Sequence, residues 1–293
     1  MGFASTLELP YPRLVEGRFA SIDALTDEDL FSATGVRIAF TERMGGVSLS
    51  PYDSLNLGDH VDDDPQSVSR NRGLLLEAFG AQGADMVNPL QVHGDVVVSI
   101  GSRDSFARAG EEAREGADSI VVGCDDVAAL LCFADCMPVI IVSPDGSFAV
   151  VHAGWRGVAN RIAVRSAEHL SRLSGHAPSS FNVYMGPFIH ACHFQVSDDL
   201  ADSFATAFGR HVVSVSDDGS SVDLGEAMRV QLHAAGIQPS RIADAGVCTV
   251  CDQGRFFSYR GSGGVCGRHG AFAVRVSGAG DSMRKEESDG SSR

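Results

Sequence analysis

Three residues in this chain have the types and settings to do chemistry together. They are His93 in Leu90-Gln91-Val92-His93-Gly94, Cys136 in Ala134-Asp135-Cys136-Met137-Pro138, and His152 in Val151-His152-Ala153-Gly154-Trp155-Arg156-Gly157. Each stands where an apolar, strand-like run meets turn chemistry, and such ends are where scaffolds present functional side chains. Two imidazoles and one thiolate suit a borderline-soft ion such as zinc. Three protein ligands leave the fourth tetrahedral position open, which separates a catalytic zinc from a structural one. The same atoms support a rival chemistry, because an imidazole beside Cys136 lowers the thiol pKa and generates a nucleophile. The two readings compete, since a metal-held thiolate attacks poorly. Asp118, in Ala117-Asp118-Ser119, has the chemistry to orient a ligand histidine from behind. Asp135 points away from Cys136 if the strand continues, and becomes a candidate base only if the backbone turns there.

An anion site would need cations. Arg43, Arg156, Arg260 and Arg268 each lie beside glycines or turn residues, and guanidinium groups clamp phosphate or carboxylate in a bidentate way. There is no P-loop. Gly261-Ser262-Gly263-Gly264 reads as a flexible turn, because no strand–loop–helix unit frames it. The histidine/cysteine signature of the zinc deaminases is also missing. Cys248-Thr249-Val250-Cys251 is a CxxC with no second pair at finger spacing, and reads as strand-end thiols near the site wall.

The elements that must position these residues are partly legible. Residues 1–34 read as an irregular, acidic segment. Val36 to Thr41 reads as a strand. Asp64-Pro65 reads as a cap followed by proline at the first helical position, opening a helix that Gly80 stops. Leu90–His93 and Val96–Ile100 read as strands, and Gly101–Gly116 as an exposed loop. Ser119–Val122, Ala128–Phe133, Pro138–Val142 and Phe148–His152 are short apolar runs separated by turns, among them Pro144-Asp145-Gly146-Ser147. One helix is expected from Trp155 to about Gly175, then a strand at Phe181–Met185. Further helices follow Ser197 and run over Leu224–Ala235, and a closing strand covers Ala271–Val276. Residues 277–293 are rich in Gly, Ser and charge and read as a disordered tail.

At 293 residues a single large domain is possible, and no linker divides the chain. The net charge of −15 argues against a nucleic-acid backbone or an anionic membrane surface as partner. It leaves room for a small anionic substrate in a locally cationic cleft. No run approaches the roughly 18 apolar residues of a membrane span, and no signal peptide is evident. Seven cysteines without a secreted-scaffold pattern point to a reducing cytoplasm.

The motifs, in this order, resemble the YfiH family, the laccase-domain proteins long labelled polyphenol oxidases. The resemblance runs through Thr41-Glu42-Arg43-Met44-Gly45-Gly46-Val47-Ser48, Ser54-Leu55-Asn56-Leu57-Gly58, Gln91-Val92-His93-Gly94, Ala117-Asp118-Ser119 and Ala134-Asp135-Cys136-Met137-Pro138-Val139. It continues through His152-Ala153-Gly154-Trp155-Arg156-Gly157, Gly186-Pro187, Cys248-Thr249 and Phe256-Phe257-Ser258-Tyr259-Arg260. It implies an α+β fold: one mixed α/β domain, residues 35–276, with two packed β-sheets flanked by helices in α/β/β/α layers. It implies a metal, zinc or alternatively copper, on His93, Cys136 and His152, with Asp118 in the catalytic set. Arg43, Asn56, Arg156 and Arg260 are the implied substrate-binding residues. The implied activities are phosphorolysis of purine nucleosides and of methylthioadenosine, and deamination of adenosine, in a monomer. The alternatives are a Cys/His hydrolase that edits peptidoglycan precursors by amide cleavage, and a copper-dependent polyphenol oxidase. The latter is disfavoured because the H-x-H pairs of true laccases are missing. After Gly186-Pro187 the chain departs from the family's usual Gly-Pro-Cys-Cys-Tyr-Glu-Val-like run. Gln195 stands where a carboxylate is usual, and His190 and His193 are added imidazoles.

Overall fold

The computed structural model describes residues 8–217 and 219–277. The chain begins with β1 (Val15–Phe19), β2 (Ile22–Thr26), α1 (Glu28–Thr34) and β3 (Val36–Thr41). After α2 (Pro65–Ala78) come β4 (Asp85–Val87), β5 (Val97–Ile100), α3 (Phe106–Glu115) and β6 (Ser119–Val122). Then follow β7 (Val127–Phe133), β8 (Met137–Val142), β9 (Phe148–Ala153), α4 (Trp155–Ala159) and α5 (Ile162–Ser174). The C-terminal third holds β10 (Asn182–Met185), β11 (Gln195–Val196), α6 (Asp198–Phe208), β12 (Val213–Ser216), β13 (Gly219–Val222), α7 (Leu224–Ala234), β14 (Ile242–Asp244) and β15 (His269–Arg275).

Two six-stranded mixed sheets form, in the orders β1-β2-β3-β15-β7-β4 and β14-β10-β8-β9-β6-β5. Alternate residues of each strand serve opposite layers, as the pleat requires. Along β7, Ala129, Leu131 and Phe133 join Ile140, Phe148 and Val150 between the sheets. Ala128 and Leu130 face the other way and meet Leu75 and Phe79 at α2. Val139, Ile141 and Val151 turn outward in the second sheet and pack on Ile162, Leu170, Met228 and Leu232 of α5 and α7. The central strands are thus buried on both faces, which is why β6 to β9 read as unbroken apolar runs. The α/β/β/α layering matches the expected architecture.

Four local expectations are corrected. Residues 1–34 are not irregular throughout: among the described ones, β1 and β2 form a hairpin, and Asp27 caps α1 by accepting from Leu30 N. Gly101–Gly116 is mostly helix, because Phe106, Ala109 and Ala113 fall on one face and the last two are buried. Leu90–His93 is not a strand. The single helix expected after Trp155 is two, broken at Arg161, whose φ of 60° is left-handed. Of the expected tail 277–293, all but Ser277 lies outside the described residues.

His269 opens β15 in the core, with its ring 6.4 Å from Phe133 and 5.5 Å from Phe256. Burial, helped by the Arg268 charge, pushes its pKa down to about 3. Below the unfolded value of about 6.5 the unfolded chain takes up a proton that the folded chain refuses, so stability falls as pH falls. Over pH 6.5 to 5 this removes about 2 kcal/mol. In urea titrations across that range, His269→Leu is expected to lack this increment. An acid slope equal to wild type would contradict the assignment.

Candidate active site

One carboxylate organises two of the three predicted ligands. Asp118 lies buried at the entry to β6. It accepts from the backbone N–H groups of Val92 (3.3 Å), His93 (3.0 Å) and Gly94 (2.6 Å). It also accepts from His152 Nδ1 at 2.7 Å. A carboxylate held by four donors only accepts, so His152 carries its proton on Nδ1 and leaves Nε2 free for the site. Burial raises the Asp118 pKa, but the bonds from His152, Gly94 and His93 outweigh it and hold the group below the ordinary carboxylate range.

The loop carrying His93 is fastened by side chains in place of a strand ladder. The Gln91 amide donates to Cys132 O and accepts from Cys132 N, both at 2.8 Å. Asn88 likewise donates to Leu130 O at 2.8 Å. These amides continue the pairing of β4 with β7 past the point where the backbone leaves the sheet. That release lets His93 take a left-handed φ of 57°. Asp135 also departs from strand geometry, with φ 87°. Its buried carboxylate accepts from Thr249 Oγ1 (2.7 Å), Ser258 Oγ (2.7 Å) and Arg260 N (2.6 Å). The backbone does turn there, yet Asp135 is occupied as a brace and is not a free base.

These two turns bring His93, Cys136 and His152 together, with their ligand atoms within 4.8 Å of one another. The imidazole rings stand 4.8 Å apart, nearly perpendicular at 80°. A Cβ at Gly154 would lie 3.1 Å from Cys136 Sγ and 3.3 Å from His93 Cδ2, so the position leaves the space that these groups fill. Two nitrogens and a sulfur converge with no fourth protein ligand among the described residues, and Asp118 fixes one ring from behind. That arrangement fits a metal with an open coordination position. With protons alone, burial raises the Cys136 thiol, but the His152 charge and bonds from His152 and His93 bring it down to about 6. Burial lowers His152, whereas Cys136 and Asp118 raise it to about 9.

The three side chains line a cavity of about 430 Å³, within the range of small-ligand sites. Trp155, Phe194 and Tyr259 supply aromatic faces, and Arg260 and Arg268 supply charge. Arg268 is one of the four arginines that the sequence offers for an anion site. Gln91 and Tyr259 lie within the runs that carry the family resemblance, whereas Phe194 and His60 have no local signal that would single them out. Arg156 is exposed with its guanidinium 4.4 Å from the Trp155 ring centroid, so it braces a wall. Arg43 lies off the cavity, donating to Asp53 O (3.0 Å) and Gln253 O (2.9 Å) over the Phe257 ring. Asn56 is buried, and its Oδ1 accepts from Arg268 N at 2.8 Å.

The sequence matches the family described as multi-copper polyphenol oxidoreductase laccase over residues 37–276. YlmD of Geobacillus stearothermophilus, named a purine nucleoside phosphorylase, is 36% identical over 254 residues, covering 82% of this chain and 90% of that protein. PA4543 of Pseudomonas aeruginosa, also named a purine nucleoside phosphorylase, is 35% identical over 247 residues, covering 82% and 93%. The crystal structure of the Geobacillus YlmD superposes with a TM-score of 0.80 at 31% identity, over 90% of this chain and 100% of that one. The hypothetical protein YfiH of Bacillus licheniformis gives 0.78 at 29% identity, over 88% and 98%. With its fold and its motifs placed as these comparisons require, the chain belongs to the YfiH, or laccase-domain, family.

Proposed function

We propose that the chain is a metal-dependent purine nucleoside phosphorylase that also cleaves methylthioadenosine and deaminates adenosine, with zinc held by His93, Cys136 and His152. The observation that carries this reading is one cavity in which these three side chains, two arginines and three aromatic rings converge. Phosphorolysis joins a phosphate oxygen to the sugar's anomeric carbon as the bond to the base breaks and the base leaves with its electron pair. Arg260 and Arg268 offset the charge of phosphate, and Trp155, Phe194 and Tyr259 offer faces on which a purine stacks. Asp118 keeps the His152 ring in one orientation through the reaction. When bound, the ion supplies a Lewis acid to the cavity. Seven free cysteines support a reducing compartment, and among the described residues no helix is long and apolar enough to cross a membrane. We place the catalytic domain at residues 35–276 and read it as a monomer.

The test is incubation of the zinc-loaded protein with adenosine, inosine or methylthioadenosine, with and without phosphate, and separation of the products. Free base with the sugar 1-phosphate is expected only when phosphate is present, and inosine from adenosine in either case. Arg268→Gln removes a charge-assisted contact and is expected to raise the KM for phosphate by about 10- to 100-fold, while the KM for nucleoside changes little. No turnover of any of these nucleosides would overturn the reading.

A second reading has one specific observation in its favour. Cys136, His152 and Asp118 are arranged as thiol, imidazole and carboxylate, with the thiol pKa brought down to about 6. That is the layout of an amide hydrolase, such as one acting on peptidoglycan precursors. Amide cleavage that survives chelation but not thiol alkylation would favour it. Copper oxidase chemistry draws less support, because the two metal-competent clusters among the described residues are one mononuclear His/Cys/His set and one set dominated by three thiols, not the several histidine-rich centres of a multi-copper oxidase.

A further inference from the structure

The CxxC at Cys248 and Cys251 has partners that its sequence neighbourhood does not reveal. Cys192 and His193, in the turn between β10 and β11, meet it across the fold, so four ligand atoms come from two distant segments. Cys192 Sγ lies 3.7 Å from Cys248 Sγ and 3.8 Å from Cys251 Sγ. His193 Nδ1 lies 3.2 Å from Cys192 Sγ, 3.8 Å from Cys248 Sγ and 3.5 Å from Cys251 Sγ. A tetrahedron with zinc–sulfur bonds of about 2.3 Å and a zinc–nitrogen bond of about 2.0 Å has edges of about 3.8 Å between sulfurs and about 3.5 Å between sulfur and nitrogen. The observed separations reproduce those edges to within about 0.3 Å. They also exceed the roughly 2.05 Å of a disulfide by a wide margin, and all these thiols are free.

The geometry points to a second metal site, a closed tetrahedral zinc centre on Cys192, His193, Cys248 and Cys251. Four protein ligands leave no open position, so the centre is structural. What it holds together is the wall of the catalytic cavity. The His193 carbonyl accepts from Arg260 Nη1 at 3.0 Å, and the next residue, Phe194, lines the cavity. On the other side, Thr249 of the CxxC bonds Asp135, the neighbour of Cys136, at 2.7 Å. The backbone N–H of His190 also reaches Cys248 Sγ at 3.5 Å, a donor that favours thiolate at this corner. The ion ties the turn bearing Phe194 to the turn bearing Thr249, and both brace the cavity. Cys192 and Cys251 are exposed, so this ion is open to chelators.

The test is the metal content of the full-length protein purified from zinc-supplemented cells. Two zinc ions per chain are expected in wild type, one in Cys136→Ala, one in the Cys192→Ser/Cys251→Ser double variant, and none when all three changes are combined. Cobalt-loaded Cys136→Ala should retain strong thiolate-to-cobalt absorption from three sulfurs. This arm leaves the second centre untouched and does not depend on the Cys192→Ser/Cys251→Ser variant folding. A single zinc per chain that disappears in Cys136→Ala would overturn the proposal. So would two ions unaffected by the double variant, or thiol counts showing a disulfide among Cys192, Cys248 and Cys251. The readout is independent of turnover, so an inactive protein with two zinc ions would sink the proposed reaction and leave the second centre standing.

Discussion

Replacing Cys136 with alanine is expected to empty the site on His93 and His152 and to lower kcat/KM for nucleoside phosphorolysis by at least about 1,000-fold. A Lewis acid contributes several kcal/mol to transition-state stabilisation, and each 1.36 kcal/mol is a factor of ten in rate. Cys136 is the one anionic donor among the three ligands, and the other two are imidazoles. Without it two neutral imidazoles remain, His93 and His152, one donor short of the three that a catalytic zinc site uses. The thiol side chain is half-buried, so its loss removes little apolar contact. The variant should stay folded, and circular dichroism and metal content would be measured on the same sample. Zinc retained at wild-type affinity with activity lost would point to the thiolate as a nucleophile and support the hydrolase arrangement.

Asp118→Asn should cost nearly as much, although Asp118 touches no substrate. Loss of the carboxylate behind a ligand histidine typically weakens metal binding by about 10- to 100-fold. Here the cost is compounded, because the same group receives three backbone N–H groups. Asparagine offers one acceptor and one donor in the same space, so at least one of those N–H groups would face another donor. A buried donor left without a partner costs about 1–3 kcal/mol. The expected result is a weaker competition against a fluorescent chelator together with a lower urea midpoint. An unchanged zinc affinity would show that the Asp118–His152 bond does not set the ligand geometry. Asp118→Glu, which keeps the charge but cannot keep the reach, separates the loss of charge from the loss of position.

The parts of this fold that the sequence announces are those specified by local chemistry. α2 is bracketed by Asp64-Pro65 and Gly80, and the side chain of Asp64 accepts from Gln66 N and Ser67 N. The strands around Cys136 and His152 are apolar on both faces because both faces are covered. The ligands stood out because glycine or proline flanks each of them. What stayed hidden depends on contacts between distant segments. α3 has Gly110 and four charges in its second half, so its narrow apolar stripe was outweighed. The amide clamp of Gln91 looks like any polar residue until Cys132 is beside it. The partners of Cys248 and Cys251 lie more than fifty residues upstream, and no spacing rule joins them. Motif membership also leaves placement open. Asn56 and Arg43 belong to runs typical of the family, and only the fold shows that Asn56 accepts from Arg268 N and that Arg43 donates to Gln253 O.

The dependence of two ligands on one carboxylate has a consequence for comparing relatives. A homologue can spell out His93, Cys136 and His152 in full and still have lost the metal, if the acid equivalent to Asp118 has drifted to a residue that cannot accept. The ligand letters are then relics, and the word that gives them meaning sits elsewhere in the text. Sorting such a family into metal-bearing and metal-free branches should therefore begin at position 118, before the ligands are counted.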